Sequence, residues 1–228
     1  MSRLARWLIA VGLSMTAAGV AHAQAVQRFD YLVREDMFRG FAGDTAAFER
    51  AMALCETRLA EDPNNAEALV WHGTGLLFRA GEAVRTGDHD KGVALNRTGL
   101  AEMGKAVALR PNDISVLIPR GSVMLAAGMR IPDVERARRF FETAVGDFEK
   151  VLALQHPYLE SLPPHPKGEL FAALAEGWSR LGEIQKSQLY LTRMVAELPN
   201  TPYSAAATAR LENPATGVRI TCLGCHTK

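Results

Sequence analysis

The sequence has no surplus of charge of either sign. Its 26 Lys and Arg residues nearly balance its 25 Asp and Glu residues, which gives a formal net charge of +1. Proteins that bind nucleic acid neutralise phosphates with basic side chains, so this balance argues against a nucleic-acid partner. It also argues against an acidic, solvating tail.

Beyond residue 23, the sequence has no apolar run of the roughly 20 residues that span a bilayer. The apolar stretch Leu8 to Val20 follows two arginines and precedes Ala21-His22-Ala23. A basic start, a short apolar run and small residues at a cleavage site are typical of a secretory signal peptide. We therefore expect residues 1–23 to be removed. The mature protein would begin at Gln24, be soluble and periplasmic or otherwise exported, and have no integral membrane segment.

Cysteine is scarce, with three residues in 228. Three cysteines are too few for the disulfide framework of a small secreted domain. Cys55 shares an apolar face with Phe48 and Met52, which favours a buried structural thiol. A disulfide between Cys55 and Cys222 remains an open alternative.

Alternating β-branched runs, the usual sign of strands, are nearly absent, and helical patterns fill the stretches between prolines and glycines. Phe48, Met52, Cys55 and Leu59 recur at helical spacing on one face, with Asp44 placed to cap the helix. We therefore predict an all-α fold.

Four similar segments each combine the end of a helix with a proline-bearing turn. The prolines are Pro63, Pro111, Pro157 and Pro199, at spacings of 48, 46 and 42 residues. Self-similarity at such a period is the signature of a repeat architecture.

Between about residues 44 and 200 the chain resembles the tetratricopeptide repeat family, in which large and small residues alternate along helical hairpins. The matching residues are Leu69, Gly73, Leu76, Leu117, Gly121, Met124, Gly128, Ala137, Phe141, Ala144, Leu174, Ala175, Trp178, Gly182, Leu191 and Pro199. The family period is 34 residues, so the units here are expanded. The small residues would let the two helices of a hairpin approach closely.

The resemblance implies a helical-hairpin solenoid of about three hairpins with a short irregular C-terminal tail. Its expected parts are a lead segment at 24–43, a repeat domain at 44–212, and a linker and tail at 213–228. A last helix at Tyr203 to Glu212 would cap the stack.

The resemblance also implies a concave face along the first helices of the hairpins, suited to a protein partner or simply to solvent. It would carry Glu67, Val70, Thr74, Leu77, Ser115, Ile118, Ser122 and Leu125.

The tail contains Cys222-Leu223-Gly224-Cys225-His226, the C-x-x-C-H pattern of covalent haem c attachment. Two cysteines at this spacing can form thioethers to one porphyrin, and the adjacent histidine can reach the iron as its proximal ligand. Such attachment takes place outside the cytoplasm, in agreement with the predicted export.

Only Thr227 and Lys228 follow the motif, so we expect the sixth iron ligand to come from the repeat body, a partner protein or water. The candidate ligands in the repeat body are His72, His156 and His165. His72 takes an apolar position of a repeat helix, which favours a core or groove histidine. The other two flank a proline-rich loop.

Two other interpretations of the tail remain open. Cys222 and Cys225 could form a local disulfide, or they could bind zinc with His226 and one further ligand. A thioredoxin-like redox motif is disfavoured, because two trailing residues cannot supply the helix that lowers the thiol pKa.

The function that we expect is an exported protein-interaction module with one covalent haem c, acting in electron transfer or in assembly of a redox complex of the cell envelope. The alternative is a haem-free scaffold whose tail is a disulfide or metal clip. A third interpretation is that the protein is a haem-based redox enzyme or sensor with an open iron position. No Ser/His/Asp set, phosphate loop or carboxylate pair has the spacing of a catalytic motif, so we do not predict an enzyme.

Overall fold

The computed structural model describes residues 28–214, and these form helices connected by short turns, with no strand among them. The helices are α1 (Phe29–Phe41), α2 (Thr45–Glu61), α3 (Ala66–Arg85), α4 (His89–Leu109), α5 (Ile114–Gly128), α6 (Val134–Gln155), α7 (Pro164–Arg180), α8 (Ile184–Glu197) and α9 (Pro202–Glu212). A short 3₁₀ helix, His156–Ser161, joins α6 to α7. The predicted all-α class is confirmed.

Short polar side chains begin most of these helices by accepting a hydrogen bond from a backbone N–H of the first turn. Asp44 accepts from Ala47 N at 2.9 Å, as the sequence predicts. The same cap recurs at Asn65, Asp88, Asp113, Asp133 and Thr201. The proline-bearing turns then end α2, α4 and α8, since proline cannot continue a helix.

Consecutive helices pair as antiparallel hairpins: α1 with α2, α3 with α4, α5 with α6, and α7 with α8. Each first helix also packs on the first helix of the next hairpin, and each second helix packs on the first helix that follows it. This neighbour-to-neighbour packing is the arrangement of a solenoid. The predicted helical-hairpin repeat is therefore confirmed for the described part of the chain.

The repeat begins earlier in the chain than the sequence analysis expected. The lead segment at 24–43 contains α1, whose buried side chains Phe29, Val33 and Met37 face the core. Residues 28–214 thus hold four hairpins and not three. The spacing of these three residues is helical, and it was the signal that could have identified α1.

Small residues bring paired helices into close contact, as predicted. A Cβ on Gly73 of α3 would lie 2.7 Å from the carbonyl oxygen of Gly99 in α4, and a Cβ on Gly99 would lie 2.6 Å from that of Gly73. Gly121 and Gly128 of α5 likewise face Phe148 and Phe141 of α6. The backbones of α3 and α4 therefore meet at Gly73 and Gly99, whereas Gly121 and Gly128 leave room for two phenyl rings of α6.

The last helix, α9, forms where it was predicted and packs against α8. It also contacts α7 through side chains near its two ends. Near its start, the ring of Tyr203 lies over Gly168, where a Cβ would come within 2.5 Å of the ring. Near its end, Arg210 donates to Glu176 at 3.2 Å and to Ser179 at 3.0 Å. These contacts show that α9 runs parallel to α7, with its last turn beside the C-terminal end of α7.

Candidate functional site

The predicted haem-attachment residues Cys222, Cys225 and His226 lie outside the described residues. The structure does place the point from which the chain runs toward them. The backbone N–H of Asn213 bonds to Ala209 O at 3.0 Å and closes α9. The segment that carries the motif therefore starts at the terminal hairpin of the stack.

His165 lies in the first turn of α7 and is exposed at the surface. Its Nδ1 is 2.7 Å from the hydroxyl oxygen of Tyr203. That hydroxyl in turn donates to Oε1 of Glu169 at 2.7 Å. Because a hydroxyl has one proton and the carboxylate takes it, the Nδ1–H of His165 must be the donor to Tyr203.

The hydrogen-bond chain from His165 through Tyr203 to Glu169 places a proton on Nδ1. In the neutral imidazole, Nε2 then carries the lone pair with which histidine binds metals. Metal-ligating histidines typically donate their other ring N–H to such a partner. The donor chemistry of His165 therefore fits an iron ligand.

His72 lies in α3 between two carboxylates. Its Nδ1 is 2.7 Å from Oε2 of Glu102, and its Nε2 is 3.8 Å from Oε1 of Glu56. The side chain is 14% exposed. His72 is thus the half-buried, hydrogen-bonded histidine that the sequence favoured, and the same carboxylates limit access to Nε2.

His156 begins the 3₁₀ helix and lines a shallow cleft of about 470 Å³ between α6 and α8. The other lining residues are Glu149, Leu152, Ala153, Pro157 and Tyr190. Within residues 28–214, the imidazole of His156 has no hydrogen-bond or ion-pair partner. No hydrogen bond from this part of the chain therefore orients the ring.

Cys55 has no solvent-exposed surface and is a free thiol, as predicted. Burial, with a smaller contribution from the nearby carboxylates of Glu56 and Glu102, raises the pKa of the Cys55 thiol to about 12. A disulfide to Cys222 would require α2 to open. The burial of Cys55 thus weighs against this alternative.

The prediction of an open concave face along the first helices is wrong. Of its eight residues, six are buried, and only Ile118 and Ser122 keep partial exposure. The added helix α1 covers part of this face, where Asp30 N donates to Glu67 Oε2 at 2.8 Å. Thr74 points toward α4 and lies 3.8 Å from the sulfur of Met103.

Met124, Met129 and Met194 differ in their exposure to solvent. Met124 and Met194 are buried in the core, where they pack as apolar side chains. Met129 is exposed at the end of α5.

No metal site emerges between Arg28 and Pro214. This stretch has no group of three or more His, Cys, Asp or Glu side chains placed to hold a metal ion. It also has no helix with the length and apolar character needed to cross a membrane. Sequence reasoning missed Tyr203 and Glu169 as partners of His165, because they come from α9 and from the next turn of α7.

Comparisons with protein-family models, with curated proteins and with solved structures found no significant match. The helical-hairpin repeat therefore rests on the observed packing, and kinship with the tetratricopeptide repeat family remains a prediction.

Proposed function

We propose that this chain is an exported helical-repeat protein that carries one covalent haem c on its C-terminal segment. The single observation that carries the proposal is the C-x-x-C-H pattern at residues 222–226, in a chain whose first 23 residues match an export signal.

In this proposal, Cys222 and Cys225 hold the porphyrin through thioethers and His226 is the proximal iron ligand. The haem supplies a one-electron redox centre whose potential depends on its axial ligands and surroundings. The repeat body supplies a rigid platform for a partner, which we infer to be another redox protein of the cell envelope. The protein is an electron carrier or an assembly factor for a redox complex, and not an enzyme.

The burial of Cys55 leaves Cys222 and Cys225 without a competing thiol. In an oxidising compartment, exposed thiols pair with one another. With Cys55 enclosed in the core, Cys222 and Cys225 are left to act together.

The test is to express the full chain together with a c-type haem maturation system, denature it and stain the gel for haem. We expect a haem-positive band at the mass of the mature chain. Cys222→Ser combined with Cys225→Ser should abolish the stain and leave helical circular dichroism unchanged. A colourless wild-type band, beside a co-expressed c-type cytochrome that does stain, would rule the proposal out.

The second candidate is a haem-free scaffold with a disulfide or zinc clip at residues 222–226. The repeat architecture favours it, since solenoids commonly serve as binding surfaces. It predicts a colourless band with either oxidised thiols or one bound zinc ion. Thiol titration and metal analysis of the same preparation separate these two forms.

A further inference from the structure

We infer that the outer surface of α4 and α6 is a docking surface for an acidic segment of a partner protein. This surface, the arginine patch, consists of Val93, Arg97, Arg130, Arg136 and Arg139. The inference goes beyond the proposed function, because it holds whether or not haem is attached.

Positive charge is left unpaired at this one place on the surface. Within residues 28–214, all other arginines form an ion pair with a carboxylate. The four arginines of the patch form none with any residue of this part of the chain. The guanidinium of Arg136 donates only to the amide oxygen of Asn96, at 3.3 Å.

The four arginines also lie near one another. The hydrogen bond from Arg136 to Asn96 joins α6 to α4. Arg97 directly follows Asn96 in α4, and Arg139 lies one helical turn after Arg136. Arg130 lies in the turn that leads into α6. Because all four arginines are exposed, they present one positively charged surface to solvent.

The nearby carboxylates do not neutralise this surface. Asp133 accepts a backbone N–H as the N-cap of α6. Glu142 is bonded to Arg138 at 3.0 Å. Glu135 forms no ion pair with any arginine of the patch, and α4 has no acidic residue within one turn of Arg97. The patch therefore keeps a surplus of positive charge in a chain that is otherwise balanced.

An exposed apolar side chain accompanies the charges. Val93 lies one turn before Arg97 on the same face of α4 and is 65% exposed. Protein–protein interfaces are enriched in arginine and combine charged contacts with buried apolar ones. The patch offers both kinds of contact.

The chemistry of these side chains favours a protein partner with carboxylates. A guanidinium is a planar fork that can bind a carboxylate through two hydrogen bonds. A surface that binds membranes typically adds aromatic side chains that enter the lipid, and the residues of the patch include none. A segment with several Asp or Glu side chains and an apolar residue among them would complement the patch in charge and in character.

The experiment measures binding of two synthetic peptides to the full mature chain by fluorescence anisotropy. The first is a helical peptide with glutamates and leucines on one face, and the second has glutamine in place of every glutamate. We expect the wild type to bind the glutamate peptide, more weakly as salt is added, and not the glutamine peptide. Arg136→Ala combined with Arg139→Ala should weaken binding about fivefold to tenfold, because two charge contacts are lost.

Two matched controls separate the patch from general effects of charge and apolar surface. Arg50→Ala combined with Arg85→Ala removes the same charge from exposed arginines that are already ion-paired, and it should bind like the wild type. Val93→Ser should weaken binding without any change in charge, whereas Ile184→Ser, at an exposed apolar residue of α8, should not. Circular dichroism of each variant checks that the helices are retained.

Three results would overturn the inference. The first is that the glutamate peptide does not bind, or binds the Arg136→Ala, Arg139→Ala chain as well as the wild type. The second is an equal loss in the Arg50→Ala, Arg85→Ala control, which would show that net charge alone attracts the peptide. The third is binding of phosphatidylglycerol vesicles, but not of the peptide, through Arg136 and Arg139, which would make the partner a membrane.

Failure of this inference is distinct from failure of the proposed function. A colourless chain that binds the glutamate peptide through the patch would contradict haem attachment and support the docking surface. A haem-loaded chain that does not bind it would overturn the docking surface alone.

Discussion

Two buried carboxylates are each paired with an arginine from another helix, and one of them also with an arginine of its own helix. Asp147 is paired with Arg120 through contacts of 2.8 and 2.6 Å. Burial raises the pKa of Asp147, and Arg120 opposes this rise by favouring the charged form. Glu176 is held between Arg180 and Arg210 at 2.6 and 3.2 Å. Removing one partner of such a pair leaves an uncompensated charge, so these contacts tie α5 to α6 and α7 to α9.

At the residue scale, we predict that Cys55 is inert in the folded protein. The reactive species is the thiolate, and a pKa of about 12 leaves almost none of it at pH 8. In the Cys222→Ser, Cys225→Ser chain, Cys55 is the only thiol. A thiol reagent should therefore modify no site under native conditions and one site per chain in denaturant.

Rapid modification of that variant by the thiol reagent under native conditions would contradict the burial of Cys55 in α2. It would also return a disulfide between Cys55 and Cys222 to consideration. The control is a denatured sample of the same preparation, which shows that the thiol is reduced and available.

The sequence could predict that a particular side chain is buried, but not which distant residue it forms a hydrogen bond with. Cys55 follows Phe48 and Met52 at helical spacing, so its burial could be inferred from one helix. The bond from His165 to Tyr203 joins residues 38 positions apart. It exists because α9 folds back along α7, and no local pattern in the sequence encodes that contact.

At the element scale, the α3–α4 hairpin depends on two facing glycines. Gly73 and Gly99 approach so closely that each would place an added Cβ against the backbone oxygen of the other. Backbone cannot move aside as a flexible side chain can. The two helices must therefore separate if either glycine gains a side chain.

We predict that Gly73→Ala and Gly99→Ala each lower the free energy of unfolding by about 1–3 kcal/mol, as overpacking typically does. The matched controls are Gly81→Ala in α3 and Gly104→Ala in α4, where an added Cβ meets nothing within 4 Å. These should raise the free energy of unfolding by about 0.5–1 kcal/mol, because alanine is the better helix former. Urea titrations followed by circular dichroism measure all four.

Equal effects of the four substitutions would contradict the close packing of α3 on α4. The slope of the unfolding free energy against urea should stay constant across the series, so that midpoint differences report stability alone.

Helix ends were easier to predict than the number of hairpins. Asp44 caps α2 and the turn at Pro63 ends it, because both signals act within one turn of helix. The first hairpin lies outside the predicted repeat, since α1 has no proline-bearing turn before it and only three core residues at helical spacing mark it. The prediction of an open concave face was wrong for the same reason: α1, which the predicted repeat does not include, covers part of that face.

At the scale of the whole molecule, the described chain is a stack of four hairpins closed by α9. Each unit contacts its neighbours along the stack, so stability is the sum of local interfaces. Such an architecture provides a binding platform, but it does not by itself determine a chemical function.

The most direct test of the proposed function is the intact mass of the protein, purified from the periplasm of cells that express a c-type maturation system. We predict the mass of residues 24–228 plus one haem, with fragmentation placing the added mass on the peptide that contains Cys222 and Cys225. The mass of residues 24–228 alone, from cells in which a control cytochrome c is fully loaded, would contradict the account.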